Sequence, residues 1–172
     1  MTQDTQAPKG WLVAGNNPQH YDFLLDTKVF HSGSASGKLE SKEDKPTGFG
    51  TLMQDFSAEK YLGKRMRFAA FVKAKNVTGW AGLWMKVEGA GHDSLGFDNM
   101  KDRAITGTSD WKEYEVILDF PKDAKLIAFG ILLSGKGTVW IDDITFEPTK
   151  EKVTNMEKPL PIAPTNLNFQ EK

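Results

Sequence analysis

Two tryptophans four residues apart, Trp80 and Trp84, stand in a segment that alternates strictly, Gly79-Trp80-Ala81-Gly82-Leu83-Trp84-Met85-Lys86-Val87-Glu88. Successive side chains of a strand point to opposite faces. Ala81, Leu83, Met85 and Val87 therefore share an apolar face, and Trp80, Gly82, Trp84, Lys86 and Glu88 share the other. The indoles lie on the face that the core does not need. A flat indole gives a sugar ring, or another amphipathic small molecule, a surface to stack on, while nearby cationic and amide side chains bind its hydroxyls. Arg65–Lys75 alternates in the same way, with Met66, Phe68, Ala70, Val72 and Ala74 facing a core and Arg65, Arg67, Ala69, Phe71 and Lys73 facing away. If the two strands pair, Arg67, Phe71, Trp80 and Trp84 form one surface. The loop-like stretch Leu95-Gly96-Phe97-Asp98-Asn99-Met100-Lys101-Asp102-Arg103 can add Asn99 and Arg103, because β-sandwiches carry ligand groups on such loops. These six residues are the candidate ligand-binding set. A competing reading has the indoles merely covered by a loop or by the Pro-rich tail.

Other chemistry is sparse. Asp142 and Asp143 interrupt an apolar strand, and alternation turns one of them inward. A buried carboxylate needs either hydrogen bonds or a hard cation, so structural hydrogen bonding and a structural calcium ion both stand. His20, His31 and His92 are far apart and show no metal-binding spacing. Gly33-Ser34-Ala35-Ser36-Gly37 has alanine where a nucleophile elbow has its serine. Gly135-Lys136-Gly137-Thr138 lacks the order of a phosphate loop. Glu113 and Glu115 fit a solvated strand face better than an acid–base pair. No cysteine is present, which excludes disulfides, thiolate nucleophiles and Cys-ligated zinc. The chain is thus expected not to be an enzyme.

The elements that position these residues are short strands. The 172 residues suit a single domain, and 39% hydrophobic with 26% charged residues is ordinary for a globular protein. Strand signals recur at 20–25, 35–41, 48–56, 65–75, 79–88, 94–98, 111–120, 125–133 and 138–147, and no long segment holds a 3.6-residue period. The expected fold is all-β: an antiparallel β-sandwich of the jelly-roll kind, with roughly eight to nine strands and little helix. Trp111 and Trp140 read as core. Residues 1–9 read as a polar tail, 10–147 as the binding domain, and 148–172 as a Pro-rich extended tail whose terminal strand, 165–170, docks through Leu167 and Phe169. A net charge of −1 argues against direct nucleic-acid binding. No apolar run approaches the ~20 residues of a membrane span, and no signal-peptide pattern opens the chain, so a cytoplasmic location is expected. Oligomeric state is not legible.

Several stretches resemble known modules. Trp140-Ile141-Asp142-Asp143-Ile144 is similar to the final strand of galactose-binding-like jelly rolls, the fold of many carbohydrate-binding modules. His31-Ser32-Gly33-Ser34-Ala35-Ser36-Gly37-Lys38-Leu39 resembles their early strand. Asn166-Leu167-Asn168-Phe169-Gln170 resembles a segment that usually opens such modules, with Gln170 where that pattern has Glu, which weakens the calcium reading. More narrowly, 10–171 resembles a module found at the C-terminal end of some bacterial AraC-type transcriptional regulators. That resemblance rests on Gly48-Phe49-Gly50-Thr51-Leu52-Met53-Gln54, Gly79–Met85, Phe97-Asp98-Asn99-Met100, Phe129–Gly135 and Thr154-Asn155-Met156-Glu157. It implies ligand binding or sensing; without a helix-turn-helix this chain is not expected to bind an operator. The resulting expectation is a non-catalytic module for a small, carbohydrate-like molecule. The alternatives are a protein-interaction module using the Trp80/Trp84 face and an enzyme with an unrecognised site.

Overall fold

The structure, a computed structural model, describes residues 7–155, 164 and 166–170. Nine strands account for the architecture: β1 (Leu12–Ala14), β2 (Tyr21–Asp26), β3 (Ser36–Ser41), β4 (Phe49–Ser57), β5 (Arg65–Glu88), β6 (Ser94–Asp98), β7 (Ile105–Asp119), β8 (Leu126–Ser134) and β9 (Thr138–Pro148). Every pairing is antiparallel. Helix is confined to three-residue 3₁₀ turns among the described residues.

Strand β5 organises the rest. Its first half, Met66–Lys75, pairs with β9, and Arg65–Val72 pairs with β7. Its second half, Trp80–Glu88, pairs with β8, and Met85–Glu88 pairs with β6. Register shifts against β7 between Val72 and Ala81, and Asn76 at φ +54°, mark where the strand passes from one layer to the other. One layer is therefore β1-β4-β8-β5-β6, the other β2-β3-β9-β5-β7. The inward faces meet in an aromatic seam. Phe68 of β5 stacks on Phe129 of β8 at 4.2 Å, and Phe146 of β9 meets Phe56 of β4 edge-on at 5.5 Å. Phe68, Val72, Leu83, Met85, Val116 and Leu118 are buried as their alternation requires, and Tyr114 packs against them half-buried.

Four expectations need correction. The segments 65–75 and 79–88 are one strand spanning both layers and do not pair with each other, so the outer faces they carry belong to different layers. Trp140 is buried on the outer face of its layer rather than between the layers, beneath Lys38 and bonded through its indole N–H to Asp26 at 2.9 Å. Asp143, at φ +49°, shifts the phase of β9, so Val139 and Ile141 point inward before it and Ile144 and Phe146 after it. Finally, Leu167 and Phe169 are 75% and 87% exposed in a turn, not a docked strand. Of the expected extended run from Pro159 to Pro164 only Pro164 is described; 156–163, 165 and 171–172 lie outside the described residues. What does fasten to the sandwich is 149–155: Thr149 N–H donates to Arg65 O at 3.0 Å, and Thr154 N–H to Ile117 O at 2.8 Å.

Candidate functional site

On the outer face of the β1-β4-β8-β5-β6 layer, strand register sets three rows. Trp80 of β5 stands opposite Ser134 of β8, which stands opposite Phe49 of β4. Next come Gly82, Leu132, Thr51 and Ala14, then Trp84, Gly130, Met53 and Leu12. The rows enclose a cleft of about 580 Å³ whose walls include Trp80, Trp84, Phe49 and Met53, with Leu132 between them and Asn16, Phe97 and Asn99 at its flanks. No lining residue is ionisable among those described.

The Trp84 indole N–H donates to Thr51 Oγ1 at 2.8 Å, two strands away, and that hydroxyl donates to Ile131 O at 2.7 Å. To reach Thr51 the ring must cross β8, and it does so where Gly130 has no side chain. A Cβ at Gly130 would lie 2.0 Å from Leu52 O, so only glycine fits. Trp84 is thereby pinned with its polar edge occupied, leaving a ring face for a ligand.

The flank opposite β4 is built by the β6–β7 loop. Asp98 is fully buried, accepting Met100 N–H at 3.0 Å and the Arg103 guanidinium at 2.6 Å. Met100 turns left-handed at φ +61° and enters the core, where its Sδ receives Leu83 N–H at 3.3 Å. This anchorage lays the Asn99 carbonyl over Gly82; a Cβ there would meet it at 2.7 Å. The glycine thus makes room for the loop rather than for a ligand ring. The Asn99 side-chain oxygen accepts Lys101 N–H at 3.1 Å, and on the other flank the Asn16 oxygen accepts Phe49 N–H at 2.7 Å.

Of the six residues singled out in the sequence, Trp80, Trp84 and Asn99 line this cleft together. Arg67, Phe71 and Arg103 do not. Arg67 lies on the outer face of the other layer, bonded to Glu113 at 2.8 Å and to Glu115, with Glu147 and Glu151 each at 3.7 Å. Its hydrogen bonds to Glu115 and then Glu113, opposed by partial burial, raise its pKa. Phe71 stacks on His31 at 3.9 Å. Arg103 serves Asp98 from behind and, with Arg67, lines a separate, highly charged depression. Sequence reasoning missed Phe49, Thr51, Met53, Leu132 and Asn16. Leu132 had a signal: in β8 it is a large apolar residue on the face opposite Ile127, Phe129, Ile131 and Leu133. Asn16 had none, since a loop residue far along the chain carries no period.

Neither Asp142 nor Asp143 is buried. Asp142 accepts the backbone N–H groups of His31 (2.9 Å) and Ser32 (3.1 Å), and Asp143 accepts the Ser32 hydroxyl at 2.7 Å and pairs with the His31 ring at 2.6 Å. Hydrogen bonds from Ser32 and then His31 hold the Asp143 pKa below its ordinary value. Calcium demands six to eight oxygen ligands, whereas N–H donors face this pair, and among the described residues no three His, Asp or Glu gather as a metal set. The residues do not fit calcium.

No protein-family model matches the chain. It is 45% identical over 168 residues to a protein of Bacillus subtilis (strain 168) named uncharacterized HTH-type transcriptional regulator YbfP, a match covering 95% of this chain and 57% of that protein. The chain therefore spans little more than half the length of the curated relative it matches. Among solved structures it is similar to the CBM22-1 xylan-binding domain from Paenibacillus barcinonensis Xyn10C, at TM-score 0.59 and 12% identity over 84% of this chain and 88% of that one. It is also similar to TmCBM61 in complex with β-1,4-galactotriose, at TM-score 0.54 and 16% identity over 82% and 90%. A bacteriophage CBA120 tailspike domain matches at TM-score 0.62 and 11% identity, over 82% of this chain and 20% of that one. No described helix is long and apolar enough to cross a membrane. The chain has the β-sandwich fold of carbohydrate-binding modules.

Proposed function

We propose that the chain is a binding module for a small carbohydrate-like molecule, that the ligand lies in the Trp80–Trp84 cleft, and that the module serves a transcriptional regulator of the AraC type as its ligand-sensing part. The observation that carries this is the cleft itself: two indoles, one held at its N–H by Thr51, beside Leu132 on a sheet face, with an asparagine amide from a loop on each flank. Such a surface suits the apolar face and hydroxyl rim of a sugar ring. The likeness to xylan-binding and galactotriose-bound modules supports the ligand class, and the named HTH-type relative supports the regulatory setting. Binding rather than catalysis is the reading, because the lining holds no side chain able to act as general acid or base near neutral pH.

A thermal-shift screen of neutral oligosaccharides tests it. A ligand present at ~100 times its Kd adds ~2.7 kcal/mol of stability, a shift readily measured. Stabilisation that disappears in Trp84→Ala supports the proposal, and stabilisation that survives there places the ligand elsewhere. One observation favours a second reading, docking of a partner chain: Leu12 and Val13, on edge strand β1 beside the cleft, are 51% and 38% exposed. Under that reading no saccharide stabilises the protein, and Leu12→Lys disrupts a complex while leaving the fold intact.

A further inference from the structure

We infer that the cleft selects uncharged saccharides and binds them through two amide N–H₂ donors, one on each flank, supplied by Asn16 and Asn99; this rests on the cleft being a saccharide site. Both asparagine oxygens are already committed, to Phe49 N–H and to Lys101 N–H. Because a backbone N–H can only donate, those bonds fix which end of each amide is the oxygen and leave each nitrogen pointing away from it. Among the described residues neither amide nitrogen has a hydrogen-bond partner. The other polar groups of the cleft contribute less. Thr51 Oγ1 accepts from Trp84 and donates to Ile131 O, and Ser134 donates to Gly48 O at 3.2 Å. The Trp84 N–H is spent on Thr51. The cleft therefore asks a ligand for hydrogen-bond acceptors.

The two donors come from different strands. Asn16 is tied to β4, and Asn99 lies over Gly82 of β5, with β8 between them. Two inter-strand spacings put the flanks about 10 Å apart, so one ligand lying across the strands reaches both. No guanidinium or ammonium lines the cleft to neutralise a uronate or a sugar phosphate, and no carboxylate lines it to receive an amino sugar. A charged ligand would lose hydration without gaining a counter-ion. Of the cations around the cleft, Arg103 binds Asp98 and Asp102 at 2.6 Å, and Lys86 pairs with Glu88 at 3.5 Å.

The test is isothermal titration calorimetry of the intact chain with three matched hexasaccharides: neutral xylohexaose, a galacturonic acid hexamer, and a glucosamine hexamer at pH 6. Asn16→Asp and Asn99→Asp are titrated alongside, with thermal melts to confirm folding. Each substitution keeps the oxygen that accepts the backbone N–H, replaces the donor by a second acceptor oxygen and adds a negative charge, so a merely structural role for the asparagine predicts little change in the affinity for uncharged xylohexaose. The expected results are binding of xylohexaose at least about tenfold tighter than of the galacturonate, and a loss of about tenfold or more in each variant. Asn99→Asp should also gain affinity for the cationic glucosamine hexamer. Equal or tighter binding of the galacturonate overturns the selectivity while leaving the saccharide site standing. Unchanged xylohexaose affinity in both folded variants overturns the donor assignment. Binding of none of the three overturns the saccharide reading and this inference with it.

Discussion

Strand β5 carries two outer faces that look alike in sequence and differ in chemistry. On its second half, Trp80 and Trp84 border a cleft without an ionisable lining residue. On its first half, Arg67 sits among four glutamates and Phe71 is covered by His31. Trp84 and Trp140 sharpen the contrast, since each indole N–H has a partner. Trp84 donates to a hydroxyl and keeps its ring on the cleft wall, whereas Trp140 donates to Asp26 and lies beneath Lys38. Burial raises the Asp26 pKa, and hydrogen bonds from Trp140, Val29 N–H and Lys28 N–H outweigh it, so the carboxyl ends below its ordinary value. An aromatic residue on an outer face is therefore no sign of a site until its neighbours are known. Where polar partners close over the ring, it is structure; where they only fix its edge, it remains available.

The contrast breaks most visibly in the core beneath the cleft. Leu83 is fully buried, so Leu83→Ala should lose about 2–5 kcal/mol in chemical denaturation. Trp84→Ala should lose less stability and yet abolish saccharide binding; equal destabilisation would make the indole a core residue. On the charged face, Arg67→Ala leaves Glu113 and Glu115 without their cation and should cost about 1 kcal/mol, discounted for solvent screening, with saccharide affinity unchanged. A drop in affinity there would mean that the two faces communicate. Replacing both Leu167 and Phe169 by serine should shift stability by no more than about 0.5 kcal/mol, because both are exposed. The smallest effect is electrostatic. The Asp143 pKa is lowered from 3.8, so its bonds to Ser32 and His31 are fully present above that value and are lost as pH falls through the lowered one. The protection of the amides at 31–34, taken relative to their intrinsic exchange rates, should fall in that acid window.

The sandwich was legible because period-two alternation in 65–75, 79–88 and 125–133 names the buried faces directly. Trp80 and Trp84 were legible for the same reason, as large residues on faces the core leaves free, and Asn99 because its loop concentrates polar groups. Arg67 and Phe71 were misplaced because alternation says which side of a strand a residue occupies and nothing about which layer that strand is in. The passage of β5 between layers depends on bulges and on Asn76 at a positive φ, which carry no periodic signature. The docked terminal strand failed in another way. The Leu167, Phe169 alternation is real, but alternation does not supply a partner strand, and the turn around Asn166–Phe169 leaves both side chains outside.

The central claim, that the Trp80–Trp84 face is the binding surface, is tested most directly by the indole N–H resonances of ¹⁵N-labelled protein titrated with xylohexaose. The chain has five tryptophans, and single substitutions assign their signals. The account predicts progressive, saturable shifts of the Trp80 and Trp84 signals, with Trp140, held by Asp26, and Trp111, beside His31, unmoved. Shifts confined to Trp111 or Trp140, or none at Trp80 and Trp84 at saturating ligand, would contradict it.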